Sequence, residues 1–250
     1  MKIDALLSPL DLPALARRDL SGTTCVVFDI LRATSTFVTA LHHGAAAIVP
    51  VSEIAEAVAL RKKNPNWLLA GERAGARIIA AQSGGTDFDF GNSPREFTPE
   101  RVRGKTIVST TTNGTRALQV CANAKTVLAA SFLNLDATAE FLRGENELLL
   151  VCAGTGEHPA EEDIIAAGAL VEILTAGKNT HAEKSATAQV ARAEFVRATL
   201  AGLGKNLGHT TNGRRLLAIP ELRADVAFCA QRDIFPLVAT LTPDGALSKV

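Results

Sequence analysis

The segment Thr110 to Thr115 (TTTNGT), preceded by Ser109, runs four consecutive hydroxyl residues into Asn-Gly-Thr. Capping a helix needs one hydroxyl, and Asn-Gly readily supplies a left-handed turn. This segment holds more hydroxyls than a cap requires. Thr111, Thr112, Asn113, Gly114 and Thr115 instead gather side-chain and backbone donors at a helix start, an arrangement suited to phosphate oxygens. The expected ligand is a small phosphorylated anion.

Carboxylates form the second group. Asp29 ends the apolar run Cys25 to Phe28, where an unpaired charge is costly. It could pair with Arg32, cap the next helix or bind a cation. The planar guanidinium of Arg32 suits phosphate or sulfonate oxygens, although an arginine three residues from an aspartate is also an ordinary ion pair. Glu72 follows the run Leu68 to Ala70, and Glu161, Glu162 and Asp163 follow Leu149 to Val151. Three acids at a helix start are favoured by its dipole alone, which leaves room for one of them to do more. Magnesium takes one or two carboxylates and completes its shell with water and phosphate oxygens, so Asp29, Glu72, Glu162 and Asp163 are the candidate ligands for Mg2+. His42 and His43 fall near a helix end, while His158, His181 and His209 are scattered.

Several chemistries are excluded by what the chain lacks. Leu31 spoils an Asp-x-Asp phosphatase pattern, no cysteine is followed by arginine at phosphocysteine spacing, and no P-loop occurs. Gly154-Thr-Gly156 starts like a dinucleotide fingerprint, but Pro159 stands at the third glycine position, which makes a nucleotide-dependent oxidoreductase the weaker rival. A non-catalytic sensor of phosphorylated acids is the other. The 26 basic and 26 acidic residues balance without blocks of one sign, which argues against nucleic-acid binding. Cys25, Cys121, Cys152 and Cys229 lie too far apart for a zinc motif. No apolar run approaches the ~18 residues of a membrane span, and no signal-peptide pattern opens the chain. The expectation is a cytoplasmic protein, free of membrane, with a homo-oligomer allowed.

The elements that must position these groups alternate between short apolar runs and helical spacing, the pattern of β-α units. Strands are expected over Cys25 to Phe28, Ala45 to Val51, Trp67 to Ala70, Lys105 to Ser109, Thr126 to Ala130 and Glu147 to Cys152. Helices are expected from Thr34 or Ser35, after Ser52, and over Asn113 to Cys121, Asp136 to Leu142, Glu161 to Leu174 and Ala182 to Leu200. Gln82 to Pro99 reads as a long ordered loop, and the stretches 214–219 and 224–229 as short strand or helix pieces. The expected fold is a three-layer α/β unit with a largely parallel or mixed sheet. It forms one catalytic unit over residues 1–250, with any division into two similar α/β subdomains falling near 144–177. Five of the strands end in polar residues on one expected edge, where ligands of such sheets bind.

Phe28 to Ser35 (FDILRATS), Ala70 to Glu72 (AGE), Phe88 to Pro94 (FDFGNSP), Thr110 to Thr115 (TTTNGT), Ala130 to Asn134 (ASFLN), Cys152 to Gly154 (CAG), Glu162 to Gly168 (EDIIAAG) and Ala224 to Cys229 (ADVAFC) together resemble the 2-phosphosulfolactate phosphatase family. The pieces are collinear and span nearly the whole chain, and FDFGNSP with TTTNGT at this spacing is specific. Ser35 replaces a usual threonine, and Lys184 stands where an aspartate is expected on a helix. The resemblance implies magnesium-dependent hydrolysis of 2-phospho-3-sulfolactate to 3-sulfolactate and phosphate, a step toward coenzyme M. Combined with the residue chemistry, it assigns magnesium to Asp29, Glu162 and Asp163 with Glu72 in reserve, and catalysis to Asp29, Arg32 and Asp163. Substrate binding then falls to Arg32 and the Thr111 to Thr115 loop, with Asn92 and Ser93 closing the site.

Overall fold

The apolar runs become strands because both faces of each are covered. Thr24–Phe28 is buried at every position, as expected for a central strand of a sheet with helices on both sides. The computed structural model describes residues 1–176 and 182–250; His181, and Gly177 at one end of the suggested division, lie outside the described residues. In chain order the strands are β1 (Lys2–Leu6), β2 (Thr24–Phe28), β3 (Ala47–Pro50), β4 (Leu68–Arg73), β5 (Ala76–Arg77), β6 (Thr106–Thr110), β7 (Thr126–Ala130), β8 (Glu147–Cys152), β9 (Glu183–Lys184), β10 (Ala239–Leu241) and β11 (Leu247–Lys249). The helices are α1 (Leu12–Leu15), α2 (Ala33–His42), α3 (Ile54–Lys63), α4 (Ala80–Ser83), α5 (Pro99–Val102), α6 (Gly114–Val120), α7 (Leu135–Leu142), α8 (Glu161–Thr175), α9 (Ala186–Leu200), α10 (Leu203–His209), α11 (Thr211–Leu217) and α12 (Arg223–Cys229).

The strands form one mixed sheet in the order β5-β4-β6-β3-β11-β10-β7-β2-β8-β1-β9. Two parallel blocks, β4-β6-β3 and β7-β2-β8-β1, are joined by the antiparallel hairpin β10-β11, which pairs Ala239 with Ala129 on one side and Leu247 with Ile48 on the other. Register aligns the carboxyl ends within each block. Phe28 lies beside Ala130 and Cys152, and Ser109 beside Pro50 and Ala70. Three antiparallel pairings in succession, β7-β10, β10-β11 and β11-β3, make the two blocks run in opposite senses, so the carboxyl ends form two sets rather than the single edge expected from the sequence.

Alternation within β2 divides the core. Val26 and Phe28 pack on the face covered by α7, α8 and α9, while Cys25 and Val27 face Phe37 and Leu41 of α2 and Leu118 of α6. All four cysteines are buried and free. One further expectation needs correction, that for Lys184, and two others are refined. The stretches 211–217 and 223–229 are helices α11 and α12, because their apolar residues pack at helical spacing against the first core. Lys184 is in edge strand β9 beside β1, not on a helix. The long ordered loop expected over Gln82 to Pro99 starts in the last turn of α4 and is fastened by a bridge from Ala70 to Phe90, with Phe88 and Phe90 buried.

The hairpin occupies the middle of the sheet although it is the last element made. Leu247 is fully buried, so Leu247→Ala is expected to lower unfolding free energy by about 2–4 kcal/mol in urea titrations, as for an interior leucine. Truncation after Pro236 is expected to abolish the cooperative transition. A Leu247→Ala loss under ~0.5 kcal/mol, the size of a surface effect, would show that the hairpin is peripheral.

Candidate active site

Asp29 leaves β2 and is held by the helix that follows. Its Oδ1 accepts the Ala33 N–H at 3.1 Å, while the Thr34 hydroxyl bridges the Asp29 backbone N–H and carbonyl, each at 3.0 Å. The hydroxyls of Ser35 and Thr36 donate to the carbonyls of Ile30 and Asn92. The first turn of α2 therefore fixes the Asp29 to Arg32 turn and the 88–94 segment together. The Leu31–Arg32 peptide is cis. Gly114 completes the fit: a Cβ there would stand 2.7 Å from Asp29 Oδ2 and 2.6 Å from Ala33 Cβ, so only glycine lets α6 approach so closely.

Arg32 is buried, and its charge is met by a residue that sequence reasoning left unassigned. Asp225, fully buried on α12, accepts Arg32 Nη1 at 2.8 Å, the Ser93 hydroxyl at 2.7 Å and Arg95 Nε at 2.8 Å. Arg32 Nη2 donates to the Gly75 carbonyl at 2.9 Å. Asp225 offsets much of the cost of burying the guanidinium. Ser93 thus braces this ion pair rather than facing the cavity, whereas the neighbouring Asn92 lines it. Stacking of Phe90 on Phe97 at 4.6 Å anchors the segment that carries them.

Most hydroxyls of the Thr110 to Thr115 segment have internal partners. Thr110 donates to the Ser52 carbonyl, and Thr111 and Thr115 cap one another across the turn. Thr112 donates both its N–H and its hydroxyl to Glu72 Oε1, each at 2.9 Å, while Glu72 Oε2 accepts Gly75 N–H at 2.7 Å. Asn113 Oδ1 accepts Gly156 N–H at 3.1 Å. Residue type signalled hydrogen bonding correctly but could not say with what.

Asp163 binds two chain segments: Oδ1 accepts Ile30 N–H at 2.8 Å and Oδ2 accepts Gly154 N–H at 3.0 Å. Glu162 Oε1 accepts the Asn212 amide at 2.6 Å, and the same amide reaches Thr155 Oγ1 at 2.6 Å. A cavity of about 270 Å³ opens where these loops meet, lined by Asp29, Arg32, Glu72, Asn92, Thr112 and Asn113. Thr155, Gly156, Asn212 and Arg215 complete its lining. Ser93, Thr111, Gly114, Thr115 and Asp163 sit behind the lining, and Glu162 lines a neighbouring cavity of about 190 Å³. Asp225, Asn212 and Arg215 escaped sequence reasoning; the only signal was the ADVAFC segment around Asp225. Glu162 and Asp163 at the start of α8 give the wrong charge for a dinucleotide pyrophosphate.

Burial dominates the electrostatics. It pushes Asp29 up from its ordinary 3.8 to about 7, with Glu72 and Glu162 adding repulsion against the Ala33 and Gly114 N–H groups. Burial likewise raises Asp163, with Asp29 and Glu162 adding to it, and raises Glu162 against the Asn212 hydrogen bond. For these acids the folded state holds the proton more tightly than the unfolded chain. The Asp29 contribution to stability is therefore full below 3.8 and is lost as pH rises through about 7. Asp29→Asn in chelator is thus expected to stabilise the protein by on the order of 2 kcal/mol near pH ~8, and to do much less near pH ~4. Urea titrations at the two pH values check this; equal effects at both would contradict it.

A model of the 2-phosphosulpholactate phosphatase family matches residues 11–244. A Thermotoga petrophila protein named "Probable 2-phosphosulfolactate phosphatase" is 41% identical over 218 residues, covering 87% of this chain and 88% of its own. Proteins of the same name from Clostridium novyi and Synechococcus are 33% identical over 240 residues and 39% over 231, covering 95% and 89% of this chain and 96% and 90% of their own lengths. With its strand-end carboxylates and buried arginine gathered at one cavity, the chain belongs to the 2-phosphosulfolactate phosphatase family of phosphoric monoester hydrolases.

Proposed function

We propose that the chain hydrolyses 2-phospho-3-sulfolactate, or a closely related phosphorylated 2-hydroxy acid, to the free hydroxy acid and phosphate with the help of Mg2+. The observation that carries this reading is the cavity itself, where Asp29, its proton held up to about 7 by burial and neighbouring acids, shares the lining with Glu72 and Arg32. Buried carboxylates that repel one another are relieved by a cation. Among the described residues no group of three or more His, Cys, Asp or Glu could hold a metal ion alone. A donor set of one or two carboxylates fits magnesium, which takes its other ligands from water and phosphate. Asp29 and Glu72 would hold it, being the two carboxylates that line the cavity, with Glu162 next to them and Asp163 fixing the backbone around them. When bound, magnesium would offset negative charge on the phosphoryl oxygens.

The side chains supply the rest. Arg32, rigidly paired with Asp225, presents positive charge to the phosphoryl group, and the amides of Asn92 and Asn113 orient it. A water oxygen attacks phosphorus while the bond from phosphorus to the ester oxygen breaks. Asp29, once charged, takes the water proton at a carboxylate oxygen. The leaving hydroxy-acid oxygen gains its proton from solvent, so water and ester become alcohol and phosphate. We place this reaction in the cytoplasm. Four free, buried cysteines suit a reducing compartment, and among the described residues no helix is long and apolar enough to cross a membrane.

Phosphate release from 2-phospho-3-sulfolactate and a panel of phosphorylated hydroxy acids, measured with magnesium and with chelator, tests the proposal. Chelation is expected to abolish turnover and magnesium to restore it. Asp29→Asn should cost roughly 10²- to 10⁴-fold in kcat, the range for a group that moves a proton. Turnover that survives chelation and Asp29→Asn together would overturn the assignment.

A further inference from the structure

Two arginines line the cavity, and they are in opposite situations. Arg32 is buried and tied by both terminal nitrogens to Asp225 and Gly75. Arg215 is exposed on α11 and has no hydrogen bond or ion pair among the described residues. Its neighbour Arg214 is used locally, donating to the His209 carbonyl. Arg215 instead shares a helix face with Asn212 three residues earlier, and Asn212 is fastened to Glu162 and Thr155 at the cavity wall.

The element that carries Arg215 is fixed in place. Thr210 Oγ1 accepts the Gly213 N–H at 3.1 Å, and a Cβ on Gly213 would fall 1.9 Å from the Leu207 carbonyl oxygen, so α11 abuts α10 with no space between them. The fixed helix sets the point from which an unpartnered guanidinium reaches the cavity, and that charge is open to an outside anion. The Asp29 and Glu72 carboxyl groups disfavour anions, so the non-reacting acid groups of a substrate need a cation of their own.

We infer that Arg215 is a specificity-determining residue that binds a non-transferred anionic group of the substrate, carboxylate or sulfonate, while Arg32 serves the phosphoryl group. This inference rests on the phosphatase reading above. Its planar fork matches either group in bidentate fashion, and binding there discriminates against phosphate esters that lack a second anion.

The test compares Arg215→Ala and Arg215→Lys with the unaltered protein on four esters: 2-phospho-3-sulfolactate, phospholactate with only the carboxylate, phosphorylated 2-hydroxyethanesulfonate with only the sulfonate, and ethyl phosphate with neither. Arg215→Ala is expected to lower the ratio of kcat/KM for 2-phospho-3-sulfolactate over ethyl phosphate by roughly 10- to 100-fold, as for a lost charge-assisted pair. The change should lie mainly in KM, and Arg215→Lys should recover part of it. The singly anionic ester that shows the same fall identifies the group bound. An unchanged ratio overturns the inference. If the unaltered protein hydrolyses none of the esters, the phosphatase reading fails instead. Calorimetric titration with 3-sulfolactate then decides on Arg215 separately: weaker binding by the alanine variant supports its role, and equal binding or none by either protein overturns it.

Discussion

Crowding of buried carboxylates at the carboxyl ends of parallel strands is the constraint on which the rest of the structure depends. Asp29, Glu162 and Asp163 are all desolvated; Glu162 raises the cost of charging both aspartates, and Asp29 that of charging Asp163. Such a cluster survives because its oxygens also fasten the chain. Asp163 joins the turn after β2 to the loop after β8, Asp29 starts α2, and Glu72 holds the Thr112 turn against Gly75. Backbone N–H groups offset part of the burial penalty for each. Repulsion among the acids remains, and it is the physical case for a cation in the cavity.

Positive charge is distributed with similar economy. Arg32 could not be buried alone, and Asp225 reaches it from α12, a helix nearly two hundred residues further along. The same carboxylate gathers Ser93 and Arg95, so the wall that carries Asn92 is set by one buried acid. Arg215, exposed and unpaired among the described residues, is free to meet an incoming group. A rigid and an available cation thus line one cavity.

The parallel strands were legible because their apolar runs end abruptly in polar residues: Phe28 into Asp29, Ala130 into Ser131, Cys152 into the Gly154 turn. Those changes mark the strand ends, and the cavity draws Asp29, Arg32, Glu72, Thr112 and Asn113 from ends in both blocks of the sheet. Strand β1 was harder to read because Lys-Ile-Asp-Ala-Leu is short and half polar. The last hairpin carried a usable signal in Thr242-Pro-Asp-Gly, a turn sequence between two short runs. Asp225, Asn212 and Arg215 sit on short helices whose approach to the site depends on tertiary packing, so spacing along the chain could not bring them in. The hydroxyls of Thr110 to Thr115 show the opposite failure. Their chemistry was plain, yet several hold the loop rather than facing the cavity, because a hydroxyl binds a carbonyl or a carboxylate as well as a phosphate.

Anomalous scattering from crystals soaked in Mn2+ as a stand-in for magnesium tests the central claim most directly. The account predicts one peak in the cavity within ~2–2.3 Å of an Asp29 or Glu72 oxygen, its remaining ligands water or phosphate. A fully soaked crystal with no peak there, or with the ion bound away from both carboxylates, would contradict it.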